Sequence, residues 1–235
     1  MARIRGTGNS QAGFRQVPGK AGVMVDTQSG KLYDLSEKYE GNKYDTCAIG
    51  VGGPAIVPTA LVGGQKLTFF RDLGGKDESD TNFTTPNHLD SGEELLLTRV
   101  GCYICTAFGD TLAMTDDIRK VAEAGYFWLN INKKLVAEGP LVFQPSGYGL
   151  SGAMTETDTN VVGIGVPSSA AAEKLVQKQL LTVNHTIQGY VQFHPRAWAV
   201  TGLFSTLAAS MPTIVHPLAL RMVLHGYIKA PATRG

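Results

Sequence analysis

From Leu218 to Lys229 the chain alternates with a period of two residues. Leu218, Leu220, Met222, Leu224, Gly226 and Ile228 form one series; Ala219, Arg221, Val223, His225, Tyr227 and Lys229 form the other. Successive side chains of an extended chain point to opposite faces, so this pattern specifies a half-buried strand and excludes a helix. Pro217 and Pro231, which cannot donate to a sheet ladder, bracket it. The alternation returns at Ile187 to Phe193, where Ile187, Gly189, Val191 and Phe193 oppose Gln188, Tyr190, Gln192 and His194. A third long strand is expected to present Leu96, Thr98, Val100, Cys102 and Ile104 on one face.

Shorter strands are expected at Gly22–Val25, Lys31–Leu35, Ala55–Leu61, Lys66–Arg71, Tyr126–Ile131, Leu135–Glu138, Leu141–Gln144 and Lys178–Val183, with Asn132-Lys133-Lys134 as a hairpin turn. Two short helical insertions are expected. One opens at Thr115, presents Ile118, Val121 and Ala122 on one face and stops at Gly125. The other spans Ser169 to Gln177, after Pro167-Ser168. Neither alternates with strands as βαβ units require. The expectation is an all-β fold of eight to ten strands, hence a β-sandwich or barrel.

The first twenty-five residues carry Arg3, Arg5, Arg15 and Lys20 and no acid, so the remaining body bears a slight negative charge. We read residues 1–21 as an extended basic arm and 22–235 as a single body. An arm of this composition cannot offset its own ordering entropy and has to lie on something. Arg3, Arg5, Arg15 and Lys20 are the candidates for contact with a polyanion or a neighbour, and Ile4, Phe14 and Val17 are candidate apolar anchors. A segment meant for phosphate alone has no need of anchors, so the arm is expected to be ordered in an assembly and loose outside one.

Only 17% of the residues are charged, well below the usual quarter, and 28 are glycine. Surface that is polar but uncharged suits contact inside an assembly, where burying unpaired charge is costly. Cys47, Cys102 and Cys105 give no disulfide framework. Cys102 and Cys105 have the spacing of a metal chelate but fall inside a strand, where residues three apart face opposite ways. No secretory signal and no transmembrane helix is expected: the uncharged stretch from Ala197 to Leu220 is broken by Pro212, His216 and Pro217.

Catalytic motifs fail on context. Gly147-Tyr148-Gly149-Leu150-Ser151-Gly152 matches a dinucleotide fingerprint, yet Thr155-Glu156-Thr157-Asp158 follows where a helix must open. Gly149-Leu150-Ser151-Gly152-Ala153 misses the last glycine of a nucleophile elbow. The histidines, His88, His185, His194, His216 and His225, lack the His-x-His that a cupin needs. Asp77, Glu78 and Asp80, or Glu156, Asp158 and Asn160, lack the geometry of a calcium loop. No enzyme and no cofactor is expected. Asp72 to Glu94 reads as a long acidic loop, functional or mobile.

Lys66-Leu67-Thr68-Phe69-Phe70-Arg71 leads into a loop carrying Asp80-Thr81-Asn82 and then the strand Leu95–Thr106; Gly139-Pro140-Leu141, Gly147-Tyr148-Gly149 and Val223-Leu224-His225-Gly226-Tyr227 follow. This layout resembles the jelly-roll capsid and virion proteins of tailless icosahedral phages. The resemblance implies two facing four-stranded sheets and self-assembly into an icosahedral particle. It implies terminal arms that hold copies of the chain, other virion proteins, packaged nucleic acid or an internal membrane, in a virion made in the host cytoplasm. The rival expectation is a receptor- or carbohydrate-binding β-sandwich of a spike or fibre, with Tyr103, Tyr148, Tyr190 and Trp198 as stacking platforms.

Overall fold

A computed structural model describes residues 14–27, 29–49, 66–106, 121–141, 150–151, 163–164, 173–193 and 218–229. The fold is all-β. Its strands are β1 (Phe14–Gln16), β2 (Val23–Asp26), β3 (Leu32–Asp34), β4 (Tyr39–Ile49), β5 (Lys66–Phe69), β6 (Glu94–Thr106), β7 (Gly125–Ile131), β8 (Lys134–Pro140), β9 (Leu150–Ser151), β10 (Gly163–Ile164), β11 (Glu173–Thr182), β12 (Ile187–Phe193) and β13 (Leu218–Lys229). Two antiparallel four-stranded sheets have the orders β11-β6-β13-β4 and β5-β12-β7-β8. Small sheets β1-β2-β3 and β9-β10 complete the described strands.

The alternation in β13 and β12 sets the core. Leu220, Met222, Leu224 and Ile228 meet Ile187, Val191 and Phe193 in one buried cluster, joined by Phe127, Leu129 and Ile131 of β7. The inner faces of the two large sheets therefore share one core. Asn132 and Lys133 both have positive φ, the geometry of a two-residue turn that follows strand twist, and β8 starts at Lys134.

In β6 the expected face is wrong beyond one point. Thr98 is an extra residue opposite the His225/Gly226 step of β13, a β-bulge. Thr98 Oγ1 donates to the His225 carbonyl oxygen at 3.1 Å. Leu95 and Leu97 therefore join Val100 and Cys102 in the core, whereas Leu96 pairs with Tyr227 on the other face. Gly226 is required here, since a Cβ would lie 2.0 Å from the Leu96 carbonyl oxygen.

The helix expected at Ser169–Gln177 is also corrected. Residues 173–177 belong to β11, and 169–172 lie outside the described residues. Between Lys174 and Gln179 the register against β6 shifts, with five steps along β11 opposing two along β6. That bulge leaves Leu175 and Lys178, three positions apart, both buried. Of the first expected helix, residues 121–124 are helical and Gly125 begins β7; its earlier residues are outside the described set.

The sequence pattern missed β4. By register its core-side positions are Tyr39, Gly41, Lys43, Asp45 and Cys47, opposite the apolar series of β13. Lys43 and Asp45 are fully buried, and the loop following β5 supplies their partners. Lys43 Nζ lies 3.0 Å from Glu93 and donates to the Asn82 carbonyl oxygen at 2.8 Å. Asp45 lies 2.7 Å from Lys76 Nζ and accepts from the Phe70 amide at 2.6 Å. The acidic loop is thus tied down by charge. Phe70 sits at φ 66°, a conformation that costs a non-glycine residue about 1–3 kcal/mol. It lets Phe69 and Phe70, neighbours in sequence, both enter the core.

The free margin of β4 is capped. Asn82 donates from its backbone to the Tyr44 carbonyl oxygen, while its side chain accepts from the Tyr44 amide at 2.7 Å and donates to the Asn42 carbonyl oxygen at 2.9 Å. One residue thereby stands in for a neighbouring strand.

Candidate assembly surface

Strands β1, β2 and β3 form a three-stranded sheet, so the division expected between residues 21 and 22 falls within the turn joining β1 to β2. Gly19 and Gly22, both at positive φ, shape that turn, and the Val17 amide donates to the Val23 carbonyl oxygen at 2.9 Å. In register, Phe14 pairs with Asp26 and Met24 with Tyr33, which gives the sheet one inward face.

Phe14 is 1% exposed. Its ring meets Tyr33 and Tyr227 edge-on, each at 5.9 Å between centroids, and Lys178 Nζ lies 4.6 Å from its centroid. Such edge-to-face pairs add to the burial of the ring. Beside it, Lys178 Nζ and Asp26 form a buried ion pair at 2.5 Å, and Ser29 Oγ donates to the other Asp26 oxygen at 2.6 Å. Burial pushes the Tyr33 hydroxyl up from its ordinary pKa, with the Asp26 charge adding to the shift. Burial likewise raises Tyr227, and Glu40 adds. Lys38 with Glu94, and Lys229 with Glu37 at 2.5 Å, hold the connection into β4.

The structure therefore seats Phe14, an expected anchor, on the outer face of the β11-β6-β13-β4 sheet of the same chain. Val17 is half-buried in the turn beside it. Residues 14–16 of the expected arm thus pair with β2, and Phe14 packs on the body of its own chain. By register Arg15, Val25 and Leu32 share the opposite face, where Arg15 is exposed and Leu32 is 62% exposed; Lys20 is exposed in the turn between β1 and β2. Leu180 and Val183, at and just past the C-terminal end of β11, are also exposed apolar residues. Arg3, Arg5 and Ile4 lie outside the described residues. The outward side of the small sheet thus offers Arg15 on one face with an exposed apolar residue, chemistry that suits either an acidic or an apolar neighbour.

The sequence missed Asp26 and Lys178, which lie 152 positions apart, and no local pattern could have joined them. Of the expected stacking residues, the Tyr103 hydroxyl lies 2.8 Å from His225 Nε2, and Tyr190 lies beneath Lys66 Nζ, 3.7 Å from its centroid. Tyr148 and Trp198 are outside the described residues. Burial, and then the Arg99 charge, lower the pKa of His225. Burial pushes the Cys47 thiol up to about 12. In the loop after β5, Asp77 accepts from Ser79 and its carboxyl is held below the ordinary range by those bonds. Among the described residues, no group of three His, Cys, Asp or Glu side chains is arranged to hold a metal ion, and no helix is long and apolar enough to cross a membrane. No protein-family model, curated protein or solved structure matches this chain.

Proposed function

We propose that the chain is a structural subunit of a viral particle, built on a jelly roll and acting by self-assembly. The observation that carries this reading is the order of strands. Among the eight strands of the two large sheets, taken in chain order, the first pairs with the last (β4 with β13). The second pairs with the seventh (β5 with β12), the third with the sixth (β6 with β11) and the fourth with the fifth (β7 with β8). That nesting is what one long antiparallel hairpin produces when it rolls up, closing β6 on β13 and β7 on β12. Double-sheet jelly rolls of this kind recur in capsid and lectin domains and in cupins.

One architecture serves many functions, so the choice rests on surface chemistry. A low charge content and a basic N-terminal stretch rooted on a sheet face by Phe14 favour a shell subunit. In this reading its partners are copies of itself and other virion proteins. The stretch containing Arg3, Arg5, Arg15 and Lys20 meets packaged nucleic acid, an internal membrane or a neighbour. Sedimentation velocity on the purified chain tests the reading: association into discrete higher species is expected, and a chain that stays monomeric at high concentration across salt overturns it. Binding of DNA or anionic vesicles that falls steeply with salt separates a polyanion contact from a protein contact.

A further inference from the structure

The outer face of the β5-β12-β7-β8 sheet carries a row of aromatic rings that neither the core nor the assembly reading uses. Alternation along β7 buries Phe127 and Leu129 and turns Tyr126 and Trp128 outward, with ring centroids 4.7 Å apart. Trp128 stands directly opposite Tyr190 of β12, whose other neighbour in the sheet is β5. The three aromatic residues therefore share one face across two adjacent strands, and Lys66 Nζ lies over the Tyr190 ring.

Around the rings the same face presents amides. Gln192 pairs in register with Tyr126, and Gln188 with Asn130. The side chains of these three amide residues have no hydrogen-bond partner among the described residues. Each amide carries both donors and an acceptor. Among the described strand residues, this face holds one cation, Lys66, and one anion, Glu138, which stands opposite Trp128 and hydrogen-bonds Tyr126.

These groups select one ligand chemistry. A polyanion needs a row of cations, and here a single lysine is balanced by a glutamate. An apolar partner needs an unbroken apolar patch, and here amides interrupt it. A neutral sugar satisfies both halves of the surface. Its C–H face packs on aromatic rings, and its hydroxyls, each donor and acceptor, match free amides. Four strands at the usual spacing give a platform roughly 14 Å across, room for a short oligosaccharide.

We propose that the outer face of the β5-β12-β7-β8 sheet, centred on Tyr126, Trp128 and Tyr190, binds an uncharged oligosaccharide. This goes beyond the assembly reading and does not depend on it. The full chain is screened against a panel of uncharged oligosaccharides, including β-linked glucose, α-linked glucose and β-linked N-acetylglucosamine hexamers. Binding is followed by calorimetry and by tryptophan fluorescence, since Trp128 is one of only two tryptophans. At least one hexamer is expected to bind saturably. Tyr190→Ala should weaken that binding about tenfold or more, on the scale of an aromatic contact residue. Gln192→Ala leaves the rings and the fold in place and should weaken it severalfold with an unchanged far-ultraviolet spectrum. Three results overturn the proposal: no member of the panel binds at millimolar concentration; binding survives both substitutions; or Tyr190→Ala dissociates an assembled species in the absence of sugar, which makes the face a subunit contact. A monomer that binds sugar overturns the assembly reading alone.

Discussion

β13 and β4 are neighbours over eleven register pairs, yet their core sides have opposite chemistry. Leu220, Met222 and Leu224 of β13 face the other sheet; Cys47, Asp45 and Lys43 lie opposite them on β4. A central strand is covered by a sheet that offers only side chains of its own inner face. An edge strand is covered by a loop, and a loop can bring counter-charges and backbone groups to meet a buried ion. Here Glu93, Lys76, the Phe70 amide and the Asn82 carbonyl do so. Charge at the margin of a core is thus stable where a connecting segment is available to complete it, and it fixes that segment in return.

Removing half of one pair breaks the comparison most severely. Glu93→Leu leaves the Lys43 ammonium buried without its counter-charge and should cost about 3–5 kcal/mol in urea unfolding. Replacing both, as Lys43→Met with Glu93→Leu, should recover most of that loss, since an apolar pair of similar volume is often neutral or better. A double variant as unstable as the single one would show that the pair acts through shape and not charge. On the apolar side, Leu224→Ala should cost about 2–5 kcal/mol, with no second substitution on β4 able to restore it.

The smallest effect is on the outer side of β13. Burial and Arg99 depress the His225 pKa below its ordinary 6.5, so the folded chain favours the neutral ring. Its contribution to stability is then complete above pH 6.5, where the unfolded chain titrates, and is lost as the pH falls through the lower folded value. Unfolding curves at pH 7.5 and 5.0 should show the wild type losing stability relative to His225→Gln at the lower pH. An equal response in both proteins would remove His225 from the account.

The same contrast explains what the sequence revealed. β13 and β12 were legible because their cores are apolar at every second residue. β6 was legible in extent and misread in facing, because the insertion of Thr98 leaves no mark on composition. β4 was illegible, since a strand with Lys43 and Asp45 turned inward reads as a surface loop. β11 was legible from Lys178 onward, whereas its first residues were read as the end of a helix because Pro167-Ser168 and the alanines that follow look like a helix start. Phe14 stood out as an apolar residue in a basic stretch, but its site could not, because Asp26, Lys178 and Tyr227 come together only through the tertiary fold. Tyr126 and Trp128 were within an expected strand; that they share a face with Tyr190 required knowing that β7 and β12 are adjacent.

The cap that Asn82 places on β4 bears on how copies of such a chain can join. An uncovered strand is a template for adding another, and repeated addition grows a fibre without limit. At this margin the Tyr44 backbone groups and the Asn42 carbonyl oxygen are already taken, so a second chain cannot pair with that stretch of β4. Any contact between copies must then use other parts of the surface.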